Sequence, residues 1–334
     1  MSNSSPSPTD FFSALPGTEV PVGGISKGLA QMWTDTGEPG EATFGPDDAK
    51  ATQVNFVLHF GMNTTPEDAL AQFQTSLRFS QRYPSRVVIL CPQRGRDGPN
   101  ELKAKVYGEC FLGKSKADKR CVEFVMLSYP RDAREHLENQ VSICLSTDLP
   151  LYYWVHRFST LARVGDYRYL TSRANRIIID SADAPSDAGT FVWPRPEAVR
   201  DLVLARLLPV RQSLGQFLSR YPEEALVGGL QTVALTHGPA LAPEARVLQG
   251  WLRDRLARCG DHQAVFTLAP LPAEDPGSFG VTFTYSGPKY FRWSGDLKAR
   301  HALFEADFGT GRTTLPASVS LLPPEVALSE AMFF

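Results

Sequence analysis

The chain has 334 residues, 43% of them hydrophobic, and its 34 Lys and Arg nearly balance 36 Asp and Glu, for a formal net charge of −2. That length exceeds what a single core usually organises, so two folded units are expected, and the charge balance gives no global pull toward nucleic acid or an anionic membrane. No apolar run reaches the roughly 18 residues of a membrane helix, and five cysteines, odd in number and without a Cys-x-x-Cys, argue for reduced thiols in a cytoplasmic chain.

In chain order, residues 1–10 are rich in Ser and Pro, read as disordered, and lack the basic and apolar blocks of a signal peptide. Ile25, Leu29, Met32 and Trp33 stand at helical spacing and predict a short helix; residues 35–50 read as a loop. Val54–Phe60 is a strand. Thr65, Pro66, Glu67 and Asp68 then give a helix start: an N-cap, a proline in the first turn, and two acids where the helix dipole favours them. Leu70, Phe73, Leu77 and Phe79 form its expected inner face, and Tyr83-Pro84 stops it. Arg86–Cys91 follows as a strand apolar on both sides, so this is a βαβ unit with a parallel pair.

Segments 102–111 and 120–129 alternate and read as an antiparallel hairpin added to that sheet. Arg131–Leu145 is helical, burying Leu137, Val141 and Cys144. Leu149–His156 is an aromatic strand, and a helical stretch over 159–173 leads to Ile177-Ile178-Ile179. Three consecutive isoleucines cannot alternate in and out, so they suit a strand buried on both faces. That strand ends in the acidic turn Asp180-Ser181-Ala182-Asp183, and a Pro-rich stretch over 184–196 reads as the junction between units. Beyond it, Pro209 opens a helix with Val210, Leu214, Phe217 and Leu218 inside. Residues 230–236 read as a strand and 243–258 as an amphipathic helix. Strands dominate afterwards, with Phe279, Val281, Phe283 and Tyr285 on one face and Gly280, Thr282, Thr284 and Ser286 on the other. The expected architecture is an N-terminal segment (1–50), an α/β domain with a mixed sheet (51–190), and an α+β domain with an antiparallel sheet (191–334).

Catalytic motifs are missing. There is no Gly-x-Gly-x-x-Gly, phosphate loop, His-Glu-x-x-His or metal-spaced Cys/His set, so no catalytic residue, metal or cofactor is assigned. Asp180 and Asp183 form the best acid pair, readable as a sugar or metal contact or as turn-capping carboxylates. Tyr152, Tyr153 and Trp154 read as a binding platform or as core beneath the sheet. Arg94-Gly-Arg96 reads as an anion contact or a solvated loop. Each of the six histidines reads as structural. Cys110 and Cys121 flank a hairpin turn and read as a redox pair or as two buried thiols.

Several stretches, in order, resemble the glucose-6-phosphate dehydrogenase assembly protein (OpcA) family. They are Leu29–Trp33, Val54–Val57, Tyr83–Ile89, Asp148-Leu149-Pro150 with Trp154, Arg176–Asp183, and Arg200-Asp201-Leu202 through Arg206-Leu207 to Pro209-Val210-Arg211. The family commonly carries tryptophan where Leu204 and Val210 stand, and threonine where Leu208 stands. The resemblance implies a non-catalytic accessory protein that binds glucose-6-phosphate dehydrogenase and promotes its assembly and allosteric activation, without nucleic acid or membrane. It places partner-binding or domain-locking roles on Trp154, Asp180, Ser181, Asp183, Arg200, Asp201, Arg206 and Arg211. In the locking version the arginines pair with the two aspartates inside the chain. The competing expectations are a sugar-phosphate-binding protein or enzyme built on Asp180 and Asp183, and a nucleotide-binding module built on the βαβ unit.

Overall fold

The computed structural model describes residues 11–35, 52–93, 101–112 and 119–334. The chain divides into two compact units, one of residues 1–201 with 331–334, the other of residues 202–330.

The first unit begins with α1 (Phe11–Ala14), β1 (Thr18–Val20) and α2 (Ile25–Asp35). The βαβ unit follows as β2 (Val54–Phe60), α3 (Pro66–Arg82) and β3 (Ser85–Pro92). The hairpin is β4 (Lys103–Leu112) and β5 (Lys119–Tyr129). Then come α4 (Arg134–Cys144), β6 (Leu151–His156), α5 (Arg168–Arg173), β7 (Arg176–Ile179) and β8 (Val199–Asp201). Eight strands form one sheet in the order β1-β4-β5-β3-β2-β6-β7-β8. The run from β5 to β8 is parallel throughout, while β4 and β1 add antiparallel pairs at one edge. Every residue of β2 and β6 is buried, as strands covered on both faces require.

The parallel order has the doubly wound form: from β2 the chain goes out to β3 and β5 on one side, then returns to β6, β7 and β8 on the other. Local sequence explains α3. The Thr65 hydroxyl accepts the Asp68 amide at 3.2 Å, Pro66 opens the helix, and Tyr83, extended before Pro84, ends it. Phe73, Leu77 and Phe79 are buried as expected, but Leu70 is 41% exposed. The inner stripe runs through Ala69, Phe73, Ser76 and Ser80, and Leu70 stands one helical step off it.

The stretch 184–196 lies within the first unit rather than at its border, because the chain returns as β8 to lie parallel to β7. No α-helix makes this connection; Pro-rich turns and a three-residue 3-10 helix at Pro196–Ala198 carry it.

The second unit contains α6 (Leu202–Arg206), α7 (Leu208–Leu218), α8 (Glu223–Val227), β9 (Leu230–His237) and α9 (Ala242–Cys259). Strands β10 (Val265–Pro270), β11 (Ser278–Tyr285), β12 (Tyr290–Asp296), β13 (His301–Asp307) and β14 (Thr313–Ala317) follow, then α10 (Pro324–Phe333), whose last three residues belong to the first unit. The sheet order is β10-β9-β11-β12-β13-β14, antiparallel except for the β9–β10 pair. Its inner face, with Val233, Leu235, Val281, Phe283, Phe291, Trp293 and Phe304, packs with Val210, Leu214, Phe217, Leu248 and Leu252 into one core. Phe333, near the end of α10, meets Tyr83 at 4.8 Å and Tyr152 at 5.7 Å between ring centroids, within the first unit.

Candidate functional site

In a doubly wound sheet, ligands and partners are met outside the carboxyl ends of the strands, where the order reverses. Here that point lies between β2 and β6. The two ends are held close together. The Gly61 amide donates to the His156 carbonyl at 2.6 Å and the Asn63 amide to the Arg157 carbonyl at 3.3 Å. A Cβ on Gly61 would stand 2.2 Å from the Arg157 carbonyl oxygen, so only glycine fits. Arg157 itself takes a left-handed φ of 49° as the chain leaves β6.

Four charged or titratable side chains meet on this rim. His156 Nε2 lies 2.7 Å from Asp68 Oδ2, with the His156 side chain 4% exposed. Arg157 Nε lies 3.3 Å from the same Asp68 oxygen and 3.2 Å from Asp183 Oδ2. Neither carboxylate oxygen lines up with the Arg157 Nε–H, so both contacts are ion pairs rather than aligned hydrogen bonds. Burial pushes the Asp68 carboxyl up, but the His156 hydrogen bond and charge, with Gln72 and Arg157, outweigh it and hold it below its ordinary value. Phe60, at the end of β2, packs edge-on to His156 and to Phe11.

The acidic turn is fastened as well. Asp180 Oδ1 accepts the Ala182 amide at 2.9 Å. Asp201, at the end of β8, accepts the Ser181 amide at 3.0 Å and the Ser181 hydroxyl at 2.6 Å. Further along, Asp187 accepts the Thr160 hydroxyl, the Leu161 amide at 2.9 Å and the Ala162 amide at 3.0 Å. Those donors, Thr160 foremost, lower its pKa. Sequence reasoning missed Asp68, His156, Arg157 and Asp187. Asp68 was visible only as a first-turn acid of α3, and nothing local marks the other three.

The structure separates the residues that the resemblance grouped. Asp183 pairs with Arg157, within the first unit. Arg206 pairs with Glu244 at 2.7 Å, within the second. Arg200 donates to the Glu197 and Val199 carbonyls at 2.8 and 2.9 Å; burial, then the nearby Arg176 charge, lower its pKa. Burial likewise lowers the pKa of Arg211, against the opposing pull of Glu330. Trp154 is 3% exposed, stacked on Phe56 with centroids 6.1 Å apart, and Tyr153 is fully buried; the three aromatics of β6 are core, not an open platform.

The expectation of reduced thiols throughout is corrected. Cys110 and Cys121 stand directly opposite in the β4–β5 register, with Cα atoms 4.1 Å apart, and are joined as a disulfide. The hairpin register, not the cysteine count, decides this. Burial pushes the Cys144 thiol up to about 11, against a smaller opposing effect of Arg86. The Arg94-Gly-Arg96 loop and the side chain of Trp33 lie outside the described residues.

The rim's charged groups are committed to contacts within the chain. Its carboxylates are engaged, its histidine is enclosed, and Glu67 and Asp68 place negative charge at the helix N-terminus where a phosphate would otherwise sit. Among the described residues, no group of three or more His, Cys, Asp or Glu is placed to hold a metal, and no helix is long and apolar enough to cross a membrane. Two described cavities lie at the opposite ends of the strands. One of about 410 Å³ is lined by Arg86, Glu123, Gln140 and Cys144, and one of about 260 Å³ by Asn55, Leu151, Tyr169 and Asn175.

Residues 77–195 match the model of a family described as the glucose-6-phosphate dehydrogenase subunit N-terminal domain. No curated protein matches the chain. Among solved structures, it is similar to glucose-6-phosphate 1-dehydrogenase from Mycobacterium avium, at 10% identity and a TM-score of 0.45 over 84% of this chain and 86% of that one. It is also similar to an aldose–aldose oxidoreductase from Caulobacter crescentus, at 10% identity and a TM-score of 0.38 over 84% and 87%. A 3-ketoreductase from Actinomadura kijaniata matches at 10% identity and a TM-score of 0.38 over 84% and 88%.

Proposed function

We propose that this chain belongs to the OpcA glucose-6-phosphate dehydrogenase assembly family, whose N-terminal-domain model it matches over residues 77–195, and is a non-catalytic accessory protein of the cytoplasm. In this reading it binds glucose-6-phosphate dehydrogenase and promotes its assembly and allosteric activation. The family match is the observation that carries the reading. The engaged rim supports it: at the switch point of the doubly wound sheet, Asp68, His156, Arg157 and Asp183 are committed to contacts within the chain.

Activation by a binding protein requires differential affinity. A partner that binds the active oligomer tenfold more tightly than the inactive form shifts that equilibrium by about 1.4 kcal/mol per bound copy. The exposed side of the acidic turn, Asp180 to Asp183, and the neighbouring Arg200 form the contact surface in this reading. They project from strand ends on a rigid sheet, and arginine beside carboxylate suits interface pairing.

The experiment measures dehydrogenase activity and mass on dilution, with and without the purified chain. The expected result is that the chain preserves oligomer and activity at dilutions where the enzyme alone loses both. Unchanged activity and mass at saturating chain would overturn the reading, as would turnover of glucose 6-phosphate by the chain alone.

A further inference from the structure

The sheet of the second unit has one face in the core and one facing out. The register sets Thr236, Ala234 and Thr232 of β9 beside Gly280, Thr282 and Thr284 of β11, all on the outer side. On the core side of the same two strands, Val233, Leu235, Val281 and Phe283 are fully buried. The outward residues are half-buried or exposed. A solvated sheet face ordinarily carries Lys, Glu and Arg; this one carries hydroxyls, methyls and a bare backbone across β10, β9 and β11. Its margins hold two large apolar side chains in the open, Val265 at 59% and Leu303 at 37% exposure. Charge gathers toward β12, β13 and the turn before β14, where Glu305 is flanked by Arg292 at 3.9 Å and Arg312 at 2.7 Å.

We propose that this outer face is a self-association surface, taking the same face of a second copy of this chain in a sheet-on-sheet dimer. Side chains this small leave little relief, so another flat face is what fits close against them, as in sheets stacked about 10 Å apart. Charge also favours a second copy. The centre is neutral, and Glu305 lies between Arg292 and Arg312, so the off-centre charge is of mixed sign and a two-fold axis through the centre sets no single-sign block against itself. Area is sufficient. Six strands about 4.8 Å apart, each with about seven residues at roughly 3.4 Å rise, present roughly 650 Å² of face, near the roughly 800 Å² per partner of a stable interface. An interface core depleted in charge is what such surfaces show. The proposal is independent of dehydrogenase binding.

The test is sedimentation velocity of the full chain over roughly 1–100 µM, with Thr282→Glu and Ser294→Glu as variants. Thr282 pairs with Arg292 across β11 and β12, so the new carboxylate gains a partner in the monomer but is buried in the dimer. The expected result is a reversible dimer whose dissociation constant rises at least tenfold in each variant, with an unchanged melting temperature. Hydrogen exchange over 230–236 and 279–285 should slow as the wild-type concentration rises. A wild-type chain that stays monomeric throughout overturns the proposal. So does a dimer that tolerates both substitutions, or one whose formation leaves exchange in these strands unchanged. A monomer whose outer face is protected only by added dehydrogenase also overturns it, while leaving the proposed function standing.

Discussion

Asp68→Asn tests the rim most sharply. The substitution keeps shape and removes charge from an oxygen that lies 2.7 Å from His156 Nε2 and 3.3 Å from Arg157 Nε, with the Asp68 side chain 13% exposed. A hydrogen bond to a charged group contributes about 1.5–3 kcal/mol. The Arg157 contact, one-third exposed and poorly aligned, adds well under 1 kcal/mol. The expected loss is therefore about 2–3 kcal/mol at pH 7, which lowers the melting temperature by roughly 4–10 °C for a unit of this size. The pH dependence carries a sign. The folded-state pKa of Asp68 lies below its ordinary value of about 3.9, so its contribution is fully present above that pH and is lost as pH falls through the folded value. Urea unfolding of wild type and variant at pH 7 and below pH 4 should show a gap that shrinks on acidification. A gap below about 0.5 kcal/mol at pH 7 would refute this account of the rim. So would one that is the same at both pH values.

Other variants separate the remaining residues. Arg206→Ala should destabilise the second unit by about 3–5 kcal/mol, because Glu244 is 4% exposed and would lose its cation; adding Glu244→Gln should recover much of the loss. Asp183→Ala, by contrast, should cost at most about 1 kcal/mol, since its pair with Arg157 is over one-third exposed on the Asp183 side. Thiol titration of the unfolded protein without reductant should find three free cysteines of five, and reduction of the Cys110–Cys121 bond should lower stability by up to about 3 kcal/mol for so short a loop. Tyr129→Phe should cost about 1–3 kcal/mol, read by urea unfolding, because the Tyr129 hydroxyl lies 2.7 Å from both His59 Nε2 and the Tyr167 hydroxyl in the core.

The elements were legible wherever a local signal fixed them. Thr65-Pro66 opens α3, the isoleucine run gives β7, and alternation gives β11, because capping, double burial and period-two patterning act within a few residues. Short strands were not legible. β8 has three residues and β10 follows a loop, and both exist because a neighbour offers an open edge. The parallel β9–β10 pair inside an otherwise antiparallel sheet has the same origin. The rim was half legible. The acidic turn stood out by composition, but its partners did not, because Arg157 reaches Asp183, and Asp201 reaches Ser181, only through the strand order. Arg206 lies near Asp201 in sequence, yet its carboxylate is Glu244 on α9, supplied by the packing of the second unit. The polar core of His59, Tyr129, Tyr153 and Tyr167 draws one residue from each of three strands and one from the connection before α5, so no local pattern shows it.

The most direct test of the central claim is a titration of the purified chain against glucose-6-phosphate dehydrogenase from the same source, read by affinity and by dehydrogenase rate together. The account predicts a saturable complex with a Kd of about 1 µM or tighter and a rate that rises with occupancy, while the chain alone turns over nothing. Absence of a complex at roughly 100 µM, or a complex that forms without any change in oligomer or rate, would contradict it.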